Sequence, residues 1–509
     1  MSRTFPYQTA IPRTHVLSNG DYSVMLTAAG SGYSQWRGSA ITRWREDVTC
    51  DGWGSYFVLR DLDTGARCSA GFQPLAITPD EYSADFGPGF ARIMRRDADL
   101  TTTLEVIVSH SDGEVRRLTM KNAGDREMRI EVTSYAEVVL SAAASDASHP
   151  AFSKIFVQTE YVDEQQVLIA TRRPRSPREQ PICLAQWLTI DGDAKSDGVL
   201  QYETDRARFI GRGRTLRTAA AINGSEPLSG TVGTVLDPIF SLRRVVLIAP
   251  GSSVSVLLTT AVGELREEVL ELAMKRQSNP DFDRLRVAAE KQEATAQAEE
   301  DIDDEQARRF QRLATCLLYS DSGQRPAAKV ITAGKGGGPT LWAGGISGDN
   351  PIMLVEVDDS DGLDLVAELF AAQSFLQRMG LTTDVVVLTT QGSDSMQKNL
   401  QQRVSRQNTQ GDGDKDHAFF IQARKASDEL QAGLRTAARI VLDSSRGSLA
   451  DQVRELPTVA QREVAVSVTS CGDPEITPER LEPELERFNG YGGFDKDGRE
   501  FVTIIRDGV

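Results

Sequence analysis

The first half of the chain has the short alternating pattern of β-strands. Apolar and polar residues alternate in runs that are rich in β-branched side chains and end at Gly, Asp, Asn or Pro. The run 128–140 alternates for most of its length, which is typical of a sheet with one face in water. Many strands at this spacing predict a large antiparallel sandwich over residues 1–261. The predicted strands are 101–110, 115–120, 128–140, 155–159, 167–171 and 245–261.

Near residue 262 the spacing of apolar residues changes from a period of two to a period of 3.6, which predicts a helical linker over 262–322. A first helix over 264–276 places Leu265, Val269 and Leu272 on one face. A second helix is predicted over 282–300 and a third over 304–319. The apolar face of the third helix comprises Phe310, Leu313, Ala314 and Leu317.

A Gly-rich loop over 323–340 separates the linker from an α/β domain over 341–460. Short apolar strands are predicted at 352–357, 385–388 and 418–421, and they alternate with helices at 363–378, 393–404 and 428–442. Such strands imply a parallel sheet that is covered on both faces. Residues 461–509 form a lead-in to a following β domain. The expected fold class is therefore multidomain, β plus α/β.

Charge and composition exclude several classes of partner. The formal net charge of the 509 residues is −16, which argues against binding to nucleic acid or to an anionic membrane surface. The N-terminus has no apolar signal segment, and no run of eighteen apolar residues occurs, so we expect no direct membrane contact and a cytoplasmic location. Five scattered cysteines indicate reduced thiols, and four dispersed histidines indicate no zinc site. No cofactor is expected.

Three of the five Trp residues lie within residues 33–60, together with several arginines. Trp offers a flat apolar face and Arg a fixed fork of donors, a combination that suits the C–H face and the hydroxyls of a sugar. The alternative is that each Trp is a core residue of the sheet. Trp36 and Arg37 are expected to be the most exposed pair, because they follow a flexible Gly30–Gly32 turn. The candidate carbohydrate-binding residues here are Trp36, Arg37, Arg43, Trp44, Arg45, Asp47 and Trp53.

Carboxylates near the Trp/Arg cluster and farther along the chain are further candidates. Asp47 and Asp51 flank the cluster and either accept sugar hydroxyls or, as the favoured interpretation, pair with Arg43 or Arg45. Asp349 sits in a Gly-flanked turn and is the remaining candidate for a carbohydrate-contacting or working carboxylate. Its alternative role is an Asx turn or a cap.

Several segments resemble the supersandwich domain of glycoside hydrolase family 94, formerly glycosyltransferase family 36. They are 18–25, 30–37, 41–47 and 56–61, followed by Leu-Trp-Ala-Gly-Gly-Ile-Ser-Gly-Asp at 341–349 and the Gly-rich block 488–501. The resemblance spans nearly the whole chain in the right order. Within the family it is strongest to the cyclic β-1,2-glucan synthases, very long membrane enzymes with two such domains in tandem.

The resemblance implies a β-supersandwich followed by a helical linker, and a β-1,2-glucan or related glucoside and the neighbouring synthase domains as partners. The family's reaction is inverting phosphorolysis, in which an aspartic acid protonates the leaving oxygen while phosphate attacks the anomeric carbon. That chemistry belongs to a helical barrel, and the sequence shows no run of a dozen helices. No catalytic residue is therefore assigned, and any inner-membrane anchor of the parent protein is expected outside this chain.

Three functions remain open at this point. The first is a non-catalytic, carbohydrate-associated region that supports glucan binding or domain assembly. The second is a self-contained glucan phosphorylase or transglycosylase that uses Asp349. The third is a structural scaffold that binds no sugar.

Overall fold

The computed structural model describes residues 3–9, 11–47, 49–176, 179–191, 196–275, 278–334, 337–358, 362–389, 394–410, 416–453 and 485–504. The chain divides into two compact units, Met1–Gln461 and Arg462–Val509. The boundaries expected at residues 261, 322 and 340 all fall inside the first unit and stay predictions.

The first unit begins with eighteen strands in the part of the chain that the structure describes. They are β1 (Arg3–Phe5), β2 (Thr14–Ser18), β3 (Tyr22–Thr27), β4 (Gly32–Trp36), β5 (Ser39–Thr42), β6 (Tyr56–Asp61), β7 (Arg67–Ser69), β8 (Glu81–Gly87), β9 (Phe90–Asp97), β10 (Leu100–Ser109), β11 (Gly113–Asn122), β12 (Met128–Ala142), β13 (Val157–Val162), β14 (Val167–Arg172), β15 (Ile182–Asp191), β16 (Ser196–Asp205), β17 (Pro238–Ile248) and β18 (Ser253–Gly263).

These strands form two antiparallel sheets that pack face to face. Among the described residues, one nine-stranded sheet has the order β1-β8-β9-β10-β11-β18-β15-β14-β13. The other has the order β16-β17-β12-β5-β4-β3-β2, and β6 and β7 continue from β12. A core of alternate side chains from both sheets, such as Leu104, Leu118, Val132 and Leu242, fills the space between them. This architecture confirms the predicted antiparallel supersandwich.

The central strand β12 differs from the prediction of one wet face. Between Ile130 and Leu140 every residue of this strand is buried. One face packs into the sandwich, while Tyr135 packs outward against Phe209 at a ring distance of 5.0 Å. Phe209, Ile210 and Ile222, far along the chain, cover that outer face. The local alternation in sequence carries no information about them. The prediction of a solvated face was therefore wrong.

The predicted strand 245–261 is in fact parts of two strands. β17 ends at Ile248 and β18 begins at Ser253, and the turn between them contains Pro250 and Gly251. Gly251 has a φ of 69°, a conformation that favours glycine. β17 then pairs with β12, whereas β18 pairs with β11 in the other sheet. This turn therefore carries the chain from one layer of the sandwich to the other.

Four short helices lie in connections between strands of the sandwich, and three longer helices follow its last strand. They are α1 (Ala143–Ser148), α2 (Pro150–Lys154), α3 (Arg206–Ile210), α4 (Ala220–Asn223), α5 (Arg266–Met274), α6 (Asn279–Glu299) and α7 (Asp304–Leu318). The last three confirm the predicted linker helices to within a few residues. Ser278 caps α6, and the Asp303 carboxylate caps α7 by accepting the N–H groups of Glu305 and Gln306.

Helix α7 covers β2, the edge strand of its sheet. The Gln311 side chain accepts the Val16 N–H at 3.0 Å and donates to the Val16 carbonyl at 2.8 Å. One amide side chain thus takes the place of a neighbouring strand at this edge. On the other side of α7, Phe310 lies 5.6 Å from Phe375 of the α/β region.

The α/β region has a four-stranded parallel sheet within the described residues. Its elements are α8 (Ala328–Ala333), α9 (Gly338–Trp342), β19 (Ile352–Val357), α10 (Gly362–Arg378), β20 (Asp384–Thr389), α11 (Asp394–Gln410), β21 (Ala418–Gln422), α12 (Asp428–Ala437), β22 (Ile440–Asp443) and α13 (Leu449–Gln452). The order is β21-β20-β19-β22, and all pairs are parallel. This confirms the predicted small parallel sheet.

The predicted helix 428–442 was too long. α12 ends at Ala437, and Ile440–Asp443 is the fourth strand, paired with β19. Ile440 and Leu442 are fully buried in the core that also holds α7. Their spacing of two residues is typical of a strand. The strand follows α12 so closely, however, that the sequence pattern shows no boundary between helix and strand.

The second unit is described only over residues 485–504. It contains a short antiparallel hairpin of β23 (Gly492–Phe494) and β24 (Phe501–Thr503). Strand β23 lies in the Gly-rich block 488–501. Most of the predicted lead-in 461–509, and residues 335 and 336 of the Gly-rich loop, lie outside the described residues.

Replacing Gln311 by alanine should destabilise the protein by roughly 2–5 kcal/mol, because a buried N–H and a buried carbonyl of β2 both lose their partner. Urea unfolding measures this loss. Gln402→Ala, which removes an exposed glutamine from α11, is the matched control and should change stability little. Equal effects of the two substitutions would show that the edge of β2 does not depend on Gln311.

Candidate functional site

Trp36 and Arg37 form the end of a tight hairpin. Trp36 ends β4 and pairs directly with Ser39, which begins β5. Arg37 and Gly38 between them have φ values of 46° and 76°. Positive φ at both central residues matches a type I′ turn, whose twist suits a two-residue hairpin.

The Trp36 side chain belongs to the sandwich core. It is 4% exposed, and its indole N–H donates to Asp112 at 3.0 Å. The Arg37 guanidinium covers the ring at 4.8 Å and forms ion pairs with Asp21 at 3.1 Å and Glu264 at 3.4 Å. The expectation that Trp36 is exposed was therefore wrong, and the flexible turn before it did not expose its side chain. Arg37 itself is half exposed.

Arg43 and Arg45 are held by a carboxylate on helix α1. Arg43 is buried and donates two N–H groups to the Asp146 carboxylate, at 2.9 and 3.0 Å. Glu137 on β12 accepts a further bond from Arg43. Burial opposes the charged form, but the hydrogen bonds to Asp146 and the charge of Glu137 raise the pKa of Arg43 above its ordinary value. Arg45 is partly exposed and reaches the Asp146 carbonyl at 3.2 Å.

The favoured pairing of Asp47 or Asp51 with Arg43 or Arg45 was wrong. Asp146, a hundred positions along the chain, takes the place that the two local carboxylates were expected to occupy. Asp47 is exposed and accepts the N–H and hydroxyl of Thr49 at 2.8 and 2.7 Å. These bonds, from the Thr49 hydroxyl foremost, lower the pKa of Asp47. Asp47 therefore caps a turn of its own loop.

Trp44, Asp51 and Tyr319 meet where the sandwich contacts α7. The Trp44 ring is half-buried, 5.5 Å from Tyr33 and 5.7 Å from Tyr319. The Tyr319 hydroxyl donates to the Asp51 carboxylate at 3.2 Å. Trp53, also half-buried, follows closely, and its carbonyl accepts the Gly32 N–H at 2.9 Å.

Asp51 is the carboxylate of this group with an altered affinity for protons. Burial raises the pKa of Asp51 to about 6, against the opposing effect of the hydrogen bond from Tyr319. Its proton therefore titrates in a range close to neutral, unlike that of an ordinary aspartate. No local sequence signal marks Tyr319 as its partner, because the two residues lie 268 positions apart.

Asp349 lies in an exposed loop with Trp342. Leu341 of α9, the helix that ends at Trp342, and Ile346 of the loop after it are buried against β19 and β20. Trp342 is 63% exposed, and its indole N–H donates to the Ser347 carbonyl at 3.2 Å. The Asp349 N–H donates to the Ser347 hydroxyl at 3.2 Å, and the Asp349 side chain is exposed. Trp342, the most exposed of the five Trp residues, was not among the candidates predicted from the sequence.

The eight candidate residues thus do not form one site. Gly32, at the start of β4, lies beside Trp53, whereas Trp36 is at the end of β4. The length of this strand therefore separates the two Trp residues by about 13 Å. Arg43 and Arg45 belong to the Asp146 network, and Asp349 belongs to the Trp342 loop. Two surfaces remain accessible: the Trp44–Trp53 segment and the Trp342–Asp349 loop. Whether either binds a sugar stays a prediction.

Comparison with known protein families decides the assignment of the sandwich. The supersandwich domain of glycosyl hydrolase 94 matches residues 3–279, more than half of the chain. The chain belongs to this family. The resemblance drawn from the sequence motifs is confirmed.

Two relatives illustrate the family relationships. The cyclic beta-(1,2)-glucan synthase NdvB of Rhizobium meliloti (strain 1021) is 36% identical over 97% of this chain and 18% of its own length. The solabiose phosphorylase of Paenibacillus borealis is 26% identical over 44% of this chain and 28% of its own length. This glycosyl hydrolase 94 chain therefore spans less than a third of either relative.

Among solved structures, a bacterial glucoamylase complexed with acarbose is 9% identical with a TM-score of 0.37, covering 64% of this chain and 43% of the glucoamylase. In the described part of this glycosyl hydrolase 94 chain, no helix has the length and apolar character needed to cross a membrane.

The pKa of Asp51 predicts a pH dependence of stability. A carboxyl group whose pKa is higher in the folded than in the unfolded state binds more protons when folded, so stability falls as the pH rises from about 4 to about 6. Asp51→Asn should remove this loss and be roughly 1–3 kcal/mol more stable than the wild type at pH 8, with no gain at pH 4.

Chemical denaturation between pH 4 and pH 8 measures the difference. Asp47→Asn is the control, because Asp47 is exposed and its pKa is lowered, and it should gain no stability at pH 8. An Asp51→Asn curve parallel to that of the wild type across this range would contradict the prediction.

Proposed function

We propose that this chain is a non-catalytic, carbohydrate-associated region of a cyclic β-1,2-glucan synthase-like protein, where it supports glucan binding or the assembly of neighbouring domains. The observation that carries the proposal is the 36% identity to the Rhizobium meliloti synthase, which extends over 97% of the chain and so includes the α/β region as well as the supersandwich. In this setting the chain lies in the cytoplasm and the parent protein supplies any membrane anchor.

The loop from Trp342 to Asp349 is the surface best suited to a neutral glucan. Stacking on a sugar needs an exposed aromatic face, and Trp342 is largely exposed. The bond from its indole N–H to the Ser347 carbonyl restrains the ring. Asp349, on the same loop, offers carboxylate oxygens to sugar hydroxyls. This loop therefore combines an exposed Trp face with a nearby carboxylate.

The Trp44–Trp53 segment is the second candidate surface. Trp44 already contacts Tyr33 and Tyr319, so less of its ring is available to a sugar. Trp53 is half-buried, and Asp51, a carboxylate within this segment, is engaged by Tyr319. These contacts favour a structural role for Trp44, and they rank this segment below the Trp342 loop as a glucan surface.

The proposal assigns no catalysis to the described part of the chain. Inverting cleavage of a glycoside needs an acid on one face of the sugar and a nucleophile on the other, in a site that encloses the bond. Asp349 is instead exposed on a loop whose backbone bonds are those of a turn. Its place beside Trp342 suits contact with sugar hydroxyls better than proton transfer.

A linear β-1,2-glucan should bind this chain with a dissociation constant on the order of millimolar, because stacking on one or two rings yields little free energy after the ordering costs are subtracted. Trp342→Ala should abolish measurable binding, and Asp349→Asn should weaken it. A ligand-observed NMR titration measures both effects without relying on Trp fluorescence.

Trp44→Phe is the matched control and should leave the affinity unchanged. Loss of binding in Trp44→Phe with normal binding in Trp342→Ala would move the glucan surface to the Trp44–Trp53 segment. A lack of binding by the wild-type chain would leave domain assembly as its role.

The isolated chain should release no glucose 1-phosphate from β-1,2-linked oligosaccharides and inorganic phosphate. The physical reason is that Asp349 is exposed on its loop, where water surrounds the carboxyl group. An enzyme-coupled assay of glucose 1-phosphate measures the release against a blank without protein. Release above that blank which disappears in Asp349→Asn would identify an enzyme and overturn the proposal.

A further inference from the structure

The segment from Arg206 to Arg217 is basic in a chain that is acidic. It carries five arginines in twelve residues, although the net charge of the whole chain is −16. Arg206 pairs with Glu137 at 2.7 Å. The other four, Arg208, Arg212, Arg214 and Arg217, are exposed. The segment lies between β16 and β17 of the supersandwich, away from the Trp342 loop in sequence and in fold.

Two of these arginines line a cleft of about 470 Å³. One part of its lining comes from the basic segment, as Arg208 and Arg214, and another comes from residues 223–229, as Asn223, Glu226 and Ser229. Arg214 is fixed by a bond from its Nη1 to the Thr218 carbonyl at 3.1 Å, and its guanidinium has further N–H groups to donate. Cleft volumes of this size accommodate small organic ligands.

Three carboxylates near these arginines differ in their hydrogen-bond partners. Asp205 lies 3.8 Å from Arg208, a distance that makes a weak surface pair. Glu203 also lines the cleft, but one of its oxygens accepts the N–H groups of Thr204 and Asp205 at 2.9 Å. Its other oxygen accepts the Ser229 hydroxyl. Glu226 is exposed at the cleft.

Two arginines beneath the cleft, Arg243 and Arg60, hold its wall in place. Arg243 is 2% exposed and donates to the carbonyls of Ala221 and Glu226. Arg60 donates to the Gly224 carbonyl. Glu131 on β12 forms ion pairs with both, at 3.1 Å from Arg60 and 3.7 Å from Arg243. The loop that carries Asn223 and Glu226 is therefore fixed to the sheet before any ligand arrives.

We propose that this cleft binds a saccharide that carries an anionic substituent, in particular a phosphate ester. Arg208 and Arg214 each offer paired N–H donors to the cleft, the kind of donor that suits phosphate oxygens. Glu226 provides carboxylate oxygens that sugar hydroxyls bond to. The Asn223 side-chain amide accepts from Arg67 and donates to the Ala219 carbonyl, and it keeps one N–H to donate to a sugar. A local cluster of positive charge on an acidic protein concentrates anions at the cleft. The proposal does not depend on neutral glucan binding at the Trp342 loop.

Calorimetric titration with glucose 6-phosphate, glucose and inorganic phosphate tests this site on the full chain. We expect glucose 6-phosphate to bind at least about tenfold more tightly than either of the other two, because only this ligand engages both parts of the lining. The double variant Arg208→Gln/Arg214→Gln should weaken its binding by about tenfold or more. Circular dichroism checks that the variant folds.

The double variant Arg212→Gln/Arg217→Gln is the matched control, since it removes the same charge from the same segment without touching the cleft lining. It should bind glucose 6-phosphate within about twofold of the wild type, given the screening of exposed charges by salt. Equal weakening by both double variants would overturn the proposal in favour of diffuse attraction. So would an absence of binding, or binding of phosphatidylglycerol vesicles without binding of glucose 6-phosphate.

Discussion

Burial of helix α7 on both sides is the constraint on which the arrangement of the first unit depends. From Phe310 to Leu318 every residue of this helix is buried. Gln311 completes the edge strand β2, while Phe310 and Leu313 share a core with β19, β20 and α10. Val16 and Met25 of the sandwich belong to that same core. The supersandwich and the α/β region are therefore joined through a common hydrophobic interior and not by a flexible linker.

The position of α7 also explains why aromatic residues surround Asp51. Tyr319 directly follows α7, so the position of the helix brings its hydroxyl to Asp51 and its ring to Trp44. Glu46, on the same loop, accepts two bonds from Arg439 of the α/β region at 2.7 and 2.6 Å. The loop that resembles a sugar-binding segment in the sequence thus contributes to the contact between the two parts of the fold. Its polar residues have partners inside the protein.

The extent to which the sequence predicted this structure follows from the range of each interaction. Periodicity located the three linker helices and three of the four parallel strands, because each of these elements is amphipathic or apolar over its own length. It failed at β12 and at β22, where burial depends on distant loops and on a sheet built from other segments. The expected partners of the arginines were wrong for the same reason: Arg43 and Arg45 bond to Asp146, about a hundred positions away, and no local pattern marks that partner. Trp342 was missed because the density of Trp residues along the chain does not report exposure, which depends on the loop that surrounds each ring.

The residues that anchor a loop decide whether a weak ligand can bind there. Ordering one flexible side chain at an interface costs about 0.5–1.5 kcal/mol, which is comparable to the gain from stacking one sugar on one ring. A neutral glucan therefore binds measurably only where the loop is already ordered. Leu341 and Ile346 order the Trp342 loop by burial, and Arg60 and Arg243 order the cleft wall by hydrogen bonds to its carbonyls. Buried charges such as these are weak contributors to stability. Their effect is instead to hold fixed the surface loops on which recognition of a polar ligand depends.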